Sequence, residues 1–326
     1  MSEGQVKGEG RKWWWNVARV VISLGVLALV LVTIGFEEIV DTLAHAAPGP
    51  FLAALLLFVV GVVVRAARWR ALLVALDVDV PFRRLVYWYF SGSFFNVFLP
   101  TGFGGDVVRV LELAQEAQAT AAAGTVFVDR MTGLLVLFAM ALLALPFSGG
   151  LLPVEVRLAV GLLAAGGLTA GGLILQGGVL RCLGRWLPGP LSLDGEGVLA
   201  RAYSAITACG WRAVGGALFF SLVFNILLIL INYLAAVAIG MRISIFYFML
   251  FVPVLSVTLM LPISIGGLGV REGMAVLLFT QVGVDEPTAA AASLAVYAIS
   301  AMTGLFGGLL YLLQSIRSLR RKPPDD

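Results

Sequence analysis

Histidine occurs once in this chain, cysteine twice and lysine three times, and only 13% of its 326 residues are charged. Each scarcity removes a class of chemistry. The lone His45 falls in a loop, so no histidine-based acid–base pair or metal site is expected. Cys182 and Cys209 lie in the least apolar part of the chain and form neither a disulfide framework nor a metal motif. Gly-x-x-x-x-Gly-Lys, His-Glu-x-x-His, Cys-x-x-Cys and Gly-x-Ser-x-Gly are all missing, which argues against an ATP-driven pump and against the common hydrolases. No catalytic residue, metal or cofactor is expected. The short apolar–polar alternation of a membrane β-barrel is missing too.

What the chain has instead is apolar length. Hydrophobic residues make up 60% of it and the mean hydropathy is +1.00. Several stretches reach the roughly 20 residues that span a bilayer. The chain therefore reads as an all-α polytopic membrane protein, a single integral membrane domain over residues 1–326. Six crossings are expected, at 17–36, 51–76, 121–146, 154–175, 213–240 and 287–316. The first lacks a small-residue cleavage site and reads as a retained helix, preceded by an interfacial belt of Trp13, Trp14 and Trp15. Residues 177–212 are less apolar and carry Arg181, Arg185, Arg201 and Arg212, as an amphipathic cytoplasmic connector would.

Two further apolar segments, 82–118 and 243–282, are interrupted. The interruptions share one ten-residue frame: Pro100-Thr-Gly-Phe-Gly-Gly-Asp-Val-Val-Arg109 and Pro262-Ile-Ser-Ile-Gly-Gly-Leu-Gly-Val-Arg271. Proline and paired glycines stop a helix, and the residues after them begin another. Each segment is expected to be a re-entrant helical hairpin. Six crossings put the basic clusters at Arg11-Lys12, 65–84, 181–212 and 317–322 on the cytoplasmic side, with Arg242 the exception. Both termini are then cytoplasmic, in a multi-pass protein of the cell inner membrane. An odd number of crossings separates the two breaks, so halves of about 13–146 and 154–316 form an inverted repeat. Matching broken helices in inverted halves point to a transporter's binding site.

At each break, free backbone amides at a helix start attract anions, and an arginine adds full charge. The candidate binding residues of the first half are Arg65, Arg68, Asn96, Pro100, Thr101, Gly104, Gly105, Asp106, Arg109, Asp129 and Arg130. Those of the second are Pro262, Ser264, Gly266, Gly267, Arg271 and Glu272. Each has a plainer alternative. Glycine and proline also serve tight packing and kinks, and Arg65 and Arg68 lie near enough to the inner boundary to snorkel. Asp129 and Glu272 also fit structural ion pairs. Asp106 and Asp129 are expected to neutralise arginines of this set, since an intramembrane charge needs a partner. Asn96 and Asn225 are expected to hydrogen-bond between helices. The second frame has Leu268 where the first has Asp106, so the halves are not chemically equivalent. Nineteen arginines against three lysines suit bidentate phosphate contacts, though a GC-rich genome gives the same bias.

Four stretches carry a resemblance. They are Arg65-Ala-Ala-Arg-Trp69, Phe94-Phe-Asn-Val-Phe-Leu-Pro-Thr-Gly-Phe-Gly-Gly-Asp-Val-Val-Arg109, Val126-Phe-Val-Asp-Arg130 and Leu261-Pro-Ile-Ser-Ile-Gly-Gly-Leu-Gly-Val-Arg-Glu-Gly273. Together they resemble the flippase-like transmembrane domain of lysylphosphatidylglycerol synthases. The resemblance covers nearly the whole chain. It implies movement of a lipid to the outer leaflet, where the two-part synthases deliver aminoacylated phosphatidylglycerol made by a separate soluble domain. The chain ends at Asp326, directly after the sixth crossing, so that synthase domain is not expected here. The lipid is therefore left open.

The leading expectation is lipid translocation, by a flippase or scramblase, of a phosphate-bearing lipid: an anionic or aminoacylated phospholipid, or a polyprenyl-phosphate-linked sugar. The alternatives are a small-anion or ion-coupled transporter and an intramembrane lipid-modifying transferase. The expected partner is a membrane lipid and not a nucleic acid, with room for a homo-oligomer and for a separate lipid-modifying enzyme.

Overall fold

A computed structural model describes residues 44–98, 104–115, 119–147, 153–175, 198–259 and 270–320. The described residues are helical with connecting turns, and no strand occurs among them. The helices are α1 (Pro48–Val74), α2 (Phe82–Phe98), α3 (Gly104–Leu113), α4 (Ala119–Ala144), α5 (Val154–Leu175), α6 (Val198–Ala238), α7 (Ile245–Thr258), α8 (Val270–Thr280) and α9 (Glu286–Arg320).

Five segments are long and apolar enough to cross a membrane: Pro48–Val74, Gly124–Phe147, Val154–Ile174, Gly210–Ala238 and Glu286–Ile316. They match the second to sixth expected crossings to within a few residues. The expected first crossing, 17–36, lies outside the described residues. Large apolar side chains face outward on these helices. On α1, Leu52 and Leu56 are about 60% exposed at a four-residue spacing, while Phe51, Ala54, Val62, Ala66 and Trp69 are buried. Only a surrounding hydrocarbon phase makes such an outward face favourable.

The remaining helices are short. α3, α7 and α8 run 10, 14 and 11 residues, below the roughly 20 needed for a crossing. The short helices fall where the two interrupted segments were expected, α2 with α3 and α7 with α8. Pro100 and Thr101, in the first break, lie outside the described residues, as do Pro262, Ser264, Gly266 and Gly267 in the second. The order of elements repeats: a long helix, a short pair, then a long helix, as α1, α2/α3, α4 and again as α6, α7/α8, α9, with α5 between. Each short pair also packs on the long helix that closes the other set, α2 on α9 and α7 on α4.

Most of the connector, up to residue 197, is outside the described residues. From Val198 the chain is helical and runs into the membrane helix through a break at Gly210, whose φ is +69°. Glycine tolerates that left-handed value, which other residues rarely adopt. Elsewhere glycine permits close approach. A Cβ at Gly307 of α9 would collide with the carbonyl oxygen of Phe90 on α2, and one at Gly308 with the Phe94 ring. Small residues are how membrane helices gain dispersion contacts without help from water.

Candidate functional site

Arg65 and Arg68 stand three apart on α1 and point to the same side, as helical spacing requires. Arg68 is 5% exposed, and its charge is met by Asp129 of α4: Nε donates to Oδ1 at 2.6 Å. Its Nη1 donates to Ser221 Oγ of α6 at 3.1 Å. Gly133, one turn after Asp129, leaves space for this guanidinium, which a Cβ there would strike.

Arg109 reaches the same carboxylate from α3. Its Nη2 donates to Asp129 Oδ2 at 2.9 Å, and Tyr89 Oη of α2 donates to that oxygen at 2.7 Å. The guanidinium lies over two rings, 4.3 Å from the Trp69 centroid and 4.0 Å from that of Tyr89. Trp69 is itself fixed by donation from Nε1 to Thr125 Oγ1 at 3.2 Å. Asp106, in the first turn of α3, faces Arg109 Nη1 at 3.3 Å and Arg130 Nη1 at 2.7 Å. Both expected neutralisers therefore do that work. Four helices are cross-linked through them, and the arrangement satisfies charges that would otherwise be costly in a membrane.

The α2/α3 pair is closed by Asn96, whose Oδ1 accepts from the Gly105 N–H at 2.8 Å. That amide is among those a helix start leaves without an internal partner. Gly105 sits against Gly92 so closely that a Cβ would meet the Gly92 carbonyl and the Asn96 side chain. Asn225 of α6 donates through Nδ2 to the Gly133 carbonyl of α4 at 3.0 Å. Both asparagines thus bond between helices, as expected.

These groups line an open cavity of about 210 Å³ whose walls come from α1, α2, α3, α4, α6 and α7. A single water needs only ~10–15 Å³ measured in this way, so the space suits a polar group of headgroup size. Its charged lining is Arg65, Arg68, Asp106, Arg109, Asp129 and Arg130, all six predicted from sequence; Asn96 and Gly105 border it or hold its edge. Arg65 differs from the other arginines. Its guanidinium stacks over Phe224 at 5.0 Å and Tyr89 at 5.5 Å, and its Nε is buried without a hydrogen-bond partner.

A second, smaller cavity of about 80 Å³ adjoins the first, with Leu228 of α6 and Ser256 of α7 lining both. Arg271, in the first turn of α8, points into it and is 7% exposed. Its Nε donates to Ser293 Oγ of α9 at 3.2 Å, its Nη2 faces Glu272 Oε1 at 3.4 Å, and it lies 4.9 Å from the Tyr297 ring centroid. Among the described residues the second site has one arginine against the first site's four. Among the described residues no group of three His, Cys, Asp or Glu is placed to hold a metal.

Sequence reasoning missed Tyr89, Ser221, Thr125, Ser293 and Tyr297. Tyr89 sits in the aromatic run Tyr87-Trp88-Tyr89, which looks like an interfacial belt. Ser293 follows four alanines and is one of several hydroxyl residues on its helix. Neither carries a local sign of its partner.

No curated protein matches the chain. The model of a family described as the lysylphosphatidylglycerol synthase TM region matches residues 16–308.

Proposed function

Since the chain belongs to the family of the lysylphosphatidylglycerol synthase transmembrane region, we propose that it moves a phosphate-bearing lipid between membrane leaflets. One observation carries this reading: a headgroup-sized cavity lined by four arginines and two aspartates, set among helices whose outer faces are apolar. A translocated lipid needs both surroundings at once, because its tails stay in hydrocarbon while its headgroup crosses. Arginine supplies the bidentate donors that phosphate oxygens match.

In this reading the protein sits in the cytoplasmic membrane with six crossings and both termini inside. The α2/α3 and α7/α8 pairs are re-entrant hairpins of an inverted repeat, entering from opposite sides. The doubled order of elements supports that arrangement. The headgroup enters the arginine-rich cavity, passes the Leu228–Ser256 partition and leaves by way of Arg271. Transport proceeds without chemical change to the lipid, and any modifying enzyme is a separate protein.

The test is purified protein in vesicles holding acyl-chain-labelled lipids, with leaflet position read by a membrane-impermeant quencher and lipid identity by mass analysis. Redistribution without nucleotide and without a mass change is expected. Static lipids with uptake of a soluble anion would make the protein a small-anion transporter, and a lipid of changed mass would make it a transferase.

A further inference from the structure

The charge of the larger cavity is not balanced. Among the described residues, four guanidinium groups line it against two carboxylates, an excess of two positive charges, and Tyr89 is the one other titratable side chain in its wall. Arginine stays charged in proteins, so the excess does not disappear by deprotonation.

Nor is a carboxylate left over. Asp129 turns Oδ1 to Arg68 and Oδ2 to Tyr89 and Arg109. Asp106 turns Oδ1 to Arg109 and Oδ2 to Arg130. Unused charged capacity in this wall is on the donor side. Arg65 has no carboxylate partner among the described residues, and the buried Nε atoms of Arg65 and Arg109 have no acceptor. An ammonium group entering this space would meet carboxylates already engaged by arginines and an excess of like charge. An anion would find unfilled donors.

We propose that the cavity selects a headgroup carrying two negative charges, a phosphate monoester or a diphosphate, over a phosphodiester monoanion and over an aminoacylated, cationic headgroup. This rests on the lipid-transport reading above and narrows its substrate class. The site's affinity follows the second ionisation of the phosphate, near pH 6 for a monoester. Arg65 is the residue that distinguishes the second charge, because the other three arginines already face carboxylates.

Vesicles containing the full chain are loaded with labelled phosphatidic acid, phosphatidylglycerol or lysyl-phosphatidylglycerol, and protein-free rates are subtracted. Phosphatidic acid should move fastest at pH 7.5 and slow as the pH falls through about 6, while phosphatidylglycerol shows no such slope. Arg65→Gln should lower the phosphatidic acid to phosphatidylglycerol rate ratio about tenfold, the size of one charge-assisted contact, and Arg65→Lys should keep it. Lysyl-phosphatidylglycerol moving as fast as phosphatidic acid, or a ratio indifferent to Arg65→Gln in a folded variant, overturns the selectivity and leaves lipid transport standing. Static lipids with uptake of inorganic phosphate would support the dianion site and overturn the lipid reading.

Discussion

Arg68 and Asp129, 61 positions apart in sequence, meet at 2.6 Å with both side chains almost fully buried. The contact fixes α1 to α4, and Arg109 completes it from α3 on the other carboxylate oxygen. Asp129 is therefore the one anion held in common by two buried cations. Its removal does more harm than the loss of either bond alone.

Asp129→Asn should destabilise the protein by about 3–5 kcal/mol, the usual result of leaving a buried charge without its partner. Unfolding in detergent, followed by far-UV circular dichroism, measures it. Adding Arg68→Gln should cost much less than the sum of the single effects, because the orphaned guanidinium is removed as well. Additive effects would mean that the two side chains do not act as a pair.

Arg271 offers the opposite balance. Its partners are a serine hydroxyl, one glutamate at 3.4 Å and an aromatic ring, so Arg271→Gln should fold nearly as the parent does. Translocation of a labelled phospholipid should nonetheless fall about tenfold, as expected for one lost charge-assisted contact. A transport rate equal to the parent's would confine Arg271 to packing.

The seam between α2 and α9 can be tested by adding one carbon. Gly307→Ala places a methyl against the Phe90 carbonyl and should cost about 1–3 kcal/mol, as overpacking does. Gly172 has nothing within 4 Å of an added Cβ, so Gly172→Ala makes the matched control. Equal thermal stability of the two variants would show that the helices can separate without penalty.

Tyr89→Phe removes one donor to Asp129 and keeps the ring under Arg109, whereas Tyr89→Leu removes both. The first should cost about 1 kcal/mol. The second should cost clearly more, since a desolvated cation–π contact contributes about 2 kcal/mol. If the two variants unfold at the same denaturant concentration, the ring contact contributes nothing.

Much of this was readable before any coordinates. Pro100 with Gly104-Gly105 announces a helix break because proline and glycine act on the backbone locally; residues 99–103 lie outside the described residues, and α2 (Phe82–Phe98) and α3 (Gly104–Leu113) flank them. Asp106 and Asp129 could be assigned to arginines because a charge among apolar residues needs a partner within reach. Which arginine each would meet was not readable. Arg68 to Ser221 spans 153 positions, and Arg271 to Ser293 depends on how α8 lies on α9. The charge excess was equally hidden. The sequence places four arginines and two aspartates near one break, but only the packing of α1, α3 and α4 shows that Arg65 is the arginine left without a carboxylate.

Leu228 and Ser256 line both cavities, and that shared edge has an electrical meaning. A bilayer that stores voltage must stay insulating even while large polar groups pass through it. Narrow apolar constrictions shed water and so interrupt any continuous file along which protons or small ions could run. In the lipid-transport reading, Leu228 puts an apolar side chain where the arginine-rich cavity meets the smaller, mostly apolar one, and so opposes a continuous file of water between them. On that proposal, hydrocarbon tails need no water and follow outside the cavities, so a lipid would pass where a bare ion would not. The membrane's capacitance would then survive each proposed transfer.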